Sequence, residues 1–255
     1  MKQDAGMALT ESVWKGYRRF DFTIAGRSGQ LVLPHSPAAG RPWVWRAEFF
    51  DAFPQADMAL LKLGWHLAYY SVSDMYGCPE AIDLMNGFQN AAESEFALAP
   101  KAVLFGFSRG GLYAFNYAFK YPQKVASLYL DAPVLDIRSW PGGFGSGTGG
   151  SKEWLECLRV YRLTEETAMC FAGNPLDNID RFIRMDIPTI VVAGDADKVV
   201  PFAENAFILA ERCRGMGDRF KLIVKPGVDH HPHSLEDPAP IVEFITANTM
   251  SRNKK

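Results

Sequence analysis

The chain has 255 residues, enough for one α/β domain with a sizeable core. Its 27 basic and 29 acidic side chains leave a formal net charge of −2, without long runs of one sign, which excludes the electrostatic footprint of a nucleic-acid or anionic-membrane binder. The composition points instead to a small-molecule or carbohydrate partner.

Residues 1–10 lack the apolar core of a signal peptide, and no later stretch reaches about 18 uncharged apolar residues. A soluble protein is expected, cytoplasmic as written and periplasmic or secreted if a leader has been trimmed. Arg18-Arg19 precedes no hydrophobic run and is not a twin-arginine address. Cys78, Cys157, Cys170 and Cys213 lie far apart with no C-x-x-C pair, so they read as small buried hydrophobes, with a Cys157–Cys170 bridge left open.

In chain order, Tyr17 to Ile24 and Gln30 to Pro34 read as two strands around a Gly26-Arg-Ser-Gly29 turn. Arg41 to Arg46 ends another strand, and a helical segment is expected through Phe49, Phe50, Phe53, Ala59, Leu60 and Leu61. His66 to Val72 reads as a buried strand. A helix from Pro79 through Ile82, Met85, Phe88 and Ala92 precedes the apolar run Lys101 to Phe107. Leu112, Phe115 and Phe119 then repeat at helical spacing until Pro122. Strands follow at Val125–Leu130, Pro188–Ala193 and Phe220–Lys225, with a helix around Ala206 to Cys213. A last helix starts near Asp237 with Pro238 at its first position.

Alternating strands and helices imply a mainly parallel sheet covered on both faces, a single domain over 1–255. Between Asp136 and Asp186 no strand is evident. This segment, opening on the glycine-rich tract Trp140 to Gly150, reads as an insertion over the sheet's carboxyl edge, a lid or cap; the tract alone reads equally as a flexible linker.

The run ending in Gly106-Phe-Ser-Arg-Gly110 is G-x-S-x-G between a strand and a helix, a setting that projects a serine hydroxyl from a sharp turn. Ser108 is the candidate nucleophile. No lysine follows as a Walker loop requires, and G-x-G-x-x-G is absent, so a phosphate cradle does not fit and no cofactor is expected. An activated serine needs a base and an acid to orient that base. Acidic residues stand in Gly194-Asp-Ala-Asp-Lys-Val-Val-Pro201, just past one apolar strand, and histidines in Asp229-His-His-Pro-His233, past the next.

Taken together, the serine turn, the acidic loop and the histidine loop, in that order, resemble the α/β-hydrolase superfamily over most of the chain from Tyr17 onward. The resemblance implies an α/β-hydrolase fold and a triad of Ser108, Asp197 and His230. Asp195 is expected to brace its loop. Asp131, at the end of the preceding strand, is the rival acid, and His231 the rival base. His233 is expected to support the loop or begin the next helix. Asp229 stands where relatives carry Gly before the base.

The resemblance also implies an oxyanion hole with one N–H from Arg109 and the other from the loop after the third strand, assigned to Trp45 with Arg46 as the alternative. If Arg46 reaches the pocket, its guanidinium is placed to hold a carboxylate or sugar hydroxyls. No metal is expected, because the histidines lack the i,i+4 helical spacing of common zinc motifs and no distant cysteine or histidine cluster completes a set. His66 and His35 read as structural.

The expected reaction is ester hydrolysis through an acyl-enzyme. Trp43, Trp45, Trp140 and Trp154 offer flat apolar faces for sugar rings or aromatic acyl groups. The Trp140-Pro-Gly-Gly stretch is similar to that of bacterial hydrolases linked to polysaccharide breakdown, which implies acetyl or feruloyl esters on carbohydrates, with Trp140 and Arg46 as substrate-binding candidates. A serine peptidase of the same fold and a noncatalytic carbohydrate-binding relative are the alternatives.

Overall fold

A computed structural model of the chain describes residues 7–250. Nine strands form one sheet in the order β1-β2-β3-β5-β4-β6-β7-β8-β9. The first three, β1 (Leu9–Trp14), β2 (Tyr17–Ile24) and β3 (Arg27–Val32), form an antiparallel meander. β3 joins antiparallel to β5 (His66–Tyr70). From there every pairing is parallel, through β4 (Trp43–Arg46), β6 (Ala102–Phe107), β7 (Val125–Asp131), β8 (Thr189–Gly194) and β9 (Phe220–Lys225). The α/β-hydrolase fold expected from the motifs is the fold observed.

Because the parallel strands are buried on both faces, their side chains split by period two into two cores. Trp43, Trp45, Leu104, Leu128, Leu130 and Val191 pack on one face beneath α2 (Pro79–Phe96), α3 (Gly110–Lys120), α6 (Ile179–Met185) and α7 (Ala206–Cys213). Val44, Val103, Phe105, Phe107, Tyr129 and Ile190 point the other way, beneath α1 (Gln55–Lys62) and α8 (Ala239–Met250). Trp43 and Trp45, proposed above as sugar platforms, are wholly buried and stack on each other at 5.6 Å.

Two readings change at the level of elements. β1 carries no strong apolar alternation because most of it is exposed, and its place at the edge comes from pairing with β2. The expected helix through Phe49 and Phe53 begins only at Gln55. Phe49, Asp51 and Phe53 all have positive φ, a left-handed path that no helix tolerates.

The segment 136–186 contains α4 (Ser151–Tyr161), α5 (Glu165–Met169) and α6. It shares a third apolar cluster, built from Trp154, Cys157, Leu158 and Ala168, with Tyr76, Leu112 and Val200 from loops and helices at the carboxyl edge. The glycine-rich tract is tied down rather than loose: Ser146 donates to Glu204, Thr148 N–H to the Lys198 carbonyl and Gly150 N–H to the Pro141 carbonyl. The four cysteines are free thiols, with Cys170 exposed and the other three buried. Among the described residues no helix is long and apolar enough to cross a membrane.

Candidate active site

Each candidate side chain sits just past the carboxyl end of a strand, where an open parallel sheet presents its loops. β6 delivers Ser108 on the turn into α3. Its φ of +48° is left-handed backbone, held by bonds of 2.9 Å from Ser108 N–H to the Asp131 carbonyl and from Val134 N–H to the Ser108 carbonyl. The glycines permit the turn: a Cβ on Gly106 would lie 2.8 Å from the Gly110 carbonyl oxygen, and one on Gly111 would lie 2.7 Å from Pro133 Cβ.

β8 and β9 deliver the other two. The loops beyond them meet so closely that a Cβ on Gly194 would stand 2.2 Å from the Val228 carbonyl oxygen. Asp195 accepts from Gly227 N–H and Asp229 from Lys198 N–H, both bonds crossing between the loops. Asp195 therefore braces its loop as expected. Asp229, in the position of the relatives' glycine, serves the same purpose, and the backbone N–H groups of Lys198 and His230 hold its carboxyl below the usual carboxylate range.

The result is one continuous hydrogen-bonded chain. His230 Nε2 lies 3.0 Å from Ser108 Oγ, and His230 Nδ1 lies 2.7 Å from Asp197 Oδ2. The other oxygen, Oδ1, accepts from Val199 N–H at 2.9 Å and Val200 N–H at 2.8 Å. All three residues are buried, none more than 9 % exposed. With Nδ1–H directed at Asp197, the Nε2 lone pair faces the serine hydroxyl, the arrangement that deprotonates an attacking alcohol.

The rival acid has a different partner. Asp131 Oδ1 lies 2.8 Å from His233 Nδ1, while its Oδ2 accepts from Tyr129 Oη at 2.5 Å and Ser234 N–H at 2.8 Å. This wholly buried carboxylate anchors the histidine loop to β7 through His233, which confirms the supporting place expected for that residue. His231 is exposed and stacks on Phe53, ring centroids 5.8 Å apart.

Arg46 does not reach the pocket. Its guanidinium forms a fully buried ion pair with Asp57, with Arg46 Nε 2.8 Å from Asp57 Oδ1, donates to the Phe53 carbonyl and lies 4.0 Å over the Phe107 ring. The arginine points to the α1 side of the sheet, opposite its neighbours Trp45 and Ala47, because strand side chains alternate. Trp45 is likewise corrected as an oxyanion donor. It lies inside β4, opposite Ala68 of β5 and Leu104 of β6, so its backbone belongs to the ladders.

The ladder ends two residues later, where Ala47 N–H donates to the Phe105 carbonyl. The next N–H, of Glu48, has no acceptor among the described residues, and neither has that of Arg109. Glu48 N stands 3.7 Å from the place of a Cβ on Gly110, so the two free donors flank the serine turn. Sequence reading passed over Glu48; the available signal was its position two residues past a strand neighbouring the serine's own.

The Glu48 side chain is 1 % exposed and accepts from Arg109 Nε at 2.8 Å. Burial pushes its carboxyl above the usual range against the attraction of Arg109. Burial opposes the charge on Arg109, yet the carboxylate beside it leaves that guanidinium's pKa raised. The guanidinium lies between the rings of Phe49 and Tyr76, 5.2 and 5.8 Å from their centroids. Trp140, half-buried, stacks on Tyr76 at 6.2 Å and continues this aromatic wall. Trp154 is buried in the insertion. A cleft of about 450 Å³ at the opposite edge of the sheet, lined by Pro42, Trp43 and Lys101, holds none of the serine, acid and histidine candidates.

Solved structures of similar fold include Est1E from Butyrivibrio proteoclasticus, 14 % identical, covering 97 % of this chain and 99 % of that one at a TM-score of 0.61. An S-formylglutathione hydrolase from Agrobacterium tumefaciens is 14 % identical over 94 % of this chain and 96 % of its own, TM-score 0.61. Dipeptidyl peptidase 4 from Porphyromonas gingivalis matches 95 % of this chain with 35 % of its own, at 14 % identity and a TM-score of 0.65. At such identities the likeness is one of fold. Residues 65–249 match the prolyl oligopeptidase family. With most of its length inside that match and the sheet of an α/β-hydrolase, the chain belongs to the prolyl oligopeptidase family of serine hydrolases.

Proposed function

We propose that the protein hydrolyses carboxylic esters through an acyl-enzyme on Ser108. The observation that carries this reading is the unbroken chain from Ser108 Oγ to His230 to Asp197, at 3.0 and 2.7 Å. His230 Nε2 takes the serine proton as Oγ attacks the carbonyl, and Asp197 stabilises the imidazolium. The tetrahedral oxyanion is received by the N–H groups of Arg109 and Glu48, aimed in advance and free of other acceptors. His230 returns the proton to the departing alcohol, and water then repeats the sequence to release the acid.

Half-buried Trp140, backed by the buried Tyr76 ring against which it stacks, supports an acyl or alcohol group with a flat face, such as a feruloyl group or an acetylated sugar ring. In this reading the segment 136–186 is a cap over that wall. The family match carries a second reading, a peptidase. A peptide's terminal amine needs a free acidic anchor, and Glu48, the buried acid beside the serine turn that pairs with no histidine, is already engaged by Arg109.

The test is hydrolysis of short p-nitrophenyl esters beside aminoacyl p-nitroanilides. Ester turnover should dominate, and Ser108→Ala should lower it by about 10⁴-fold or more while the protein stays folded. Wild-type rates from the alanine variant would end the reading, and faster anilide than ester turnover would favour the peptidase.

A further inference from the structure

The histidine loop carries more than a catalytic base. His230, His231 and His233 bring one ring nitrogen each to within 4.8 Å of the others. Their ring centroids stand 4.8 to 4.9 Å apart in all three pairings, with the planes 67° to 87° to one another. The helical spacing of common zinc motifs is absent, but the turn through Pro232 gathers the three rings without a helix.

Two of these imidazoles are oriented as metal ligands are. His230 and His233 each direct Nδ1 at a buried carboxylate, Asp197 and Asp131 respectively. A carboxylate on one nitrogen fixes the tautomer and leaves the other nitrogen's lone pair outward, the usual support of a zinc-bound histidine. For His230 that outward nitrogen meets Ser108. For His233, 5 % exposed, Nε2 has no partner among the described residues. The third ring, His231, is exposed and stacks on Phe53.

We infer that His230, His231 and His233 form a binding site for a divalent transition-metal ion, and that the bound ion switches the serine centre off by occupying the lone pair of its base. Zinc–nitrogen bonds of about 2.0–2.1 Å require a tetrahedral N···N edge of about 3.3 Å, so all three rings close in on the ion from separations of up to 4.8 Å. Imidazole ligands select zinc, copper and nickel over magnesium and calcium, which prefer oxygen. Only lone-pair coordination is involved. The ion replaces the hydrogen bond from Ser108 Oγ, and removing it restores the free base. The inhibitory half of the inference rests on the functional reading above; the binding half does not.

The full chain, freed of metal, is titrated with cobalt(II) and followed by its visible absorption, then with zinc(II) during p-nitrophenyl ester turnover in a non-chelating buffer. One equivalent of cobalt should bind with the bands of a tetrahedral site, and zinc at micromolar concentration should stop turnover until EDTA is added. His231→Ala, a change at an exposed side chain, should weaken both effects at least about tenfold, each rate being referred to the variant's own metal-free value. Loss of even an outer partner of a ligand costs about 10–100-fold in affinity. Absence of saturable cobalt binding, or identical titrations of wild type and variant, would overturn the site. If no ester is turned over, the functional reading fails while the cobalt titration still decides the binding.

Discussion

Replacing Arg46 separates a structural role from a substrate-binding one. Arg46 and Asp57 are each 1 % exposed at the side chain and pair across 11 residues between β4 and α1. Removing the guanidinium by Arg46→Met leaves an ionised carboxylate in an apolar layer with no compensating charge. Breaking a buried pair in this way costs about 3–5 kcal/mol, and lost packing over Phe107 adds to it. At about 2–4 °C per kcal/mol for a chain of this size, the melting temperature should fall by roughly 6–20 °C. The pair replaced together, Arg46→Met with Asp57→Leu, removes both charges and should regain most of the loss, since apolar substitutes of similar volume are often neutral. Urea unfolding gives the free energies, and ester kinetics on the folded fraction give kcat and KM. Because neither residue enters the pocket, KM should stay within about twofold in both variants. A stable Arg46→Met protein with a greatly raised KM would refute this argument and return Arg46 to the substrate.

The two buried carboxylates next to histidines should behave oppositely. Asp197→Asn should lower kcat by about 10⁴-fold with little loss of stability, because it spoils the tautomer of His230; Asp131→Asn should cost stability by about 1–3 kcal/mol and change kcat less than tenfold, because it weakens the anchor of the loop. A larger kinetic loss at 131 than at 197 would exchange their roles. A pH effect follows from His66, which burial above all, with Arg41 nearby, lowers from 6.5 to about 4. The folded state keeps this ring neutral while the unfolded chain protonates it below about pH 6.5, so stability falls with pH between about 6.5 and 4. The full difference is about 3 kcal/mol. Urea midpoints of His66→Phe should lose that part of the slope, and an unchanged slope would show that other groups cause it.

Much of this protein was determined along the chain itself. Strand-to-helix alternation specified a covered parallel sheet, and G-x-S-x-G at Ser108 specified its turn, because only small neighbours fit where a Cβ at 106 or 111 meets backbone or proline. The order of serine, acid and histidine placed Asp197 and His230 past successive strands, which is local information. What the tertiary structure alone decided was pairing across distance. Asp131 ends one strand and Asp197 follows shortly after the next, and only the meeting of the loops past β8 and β9 gives one of them to His230 and the other to His233. Arg46 looked like a pocket residue from its place near a strand end, but strand alternation and the position of Asp57 on α1 turned it into the core. The free N–H of Glu48 follows from where the β4–β6 ladder stops, and a ladder is a property of two strands at once.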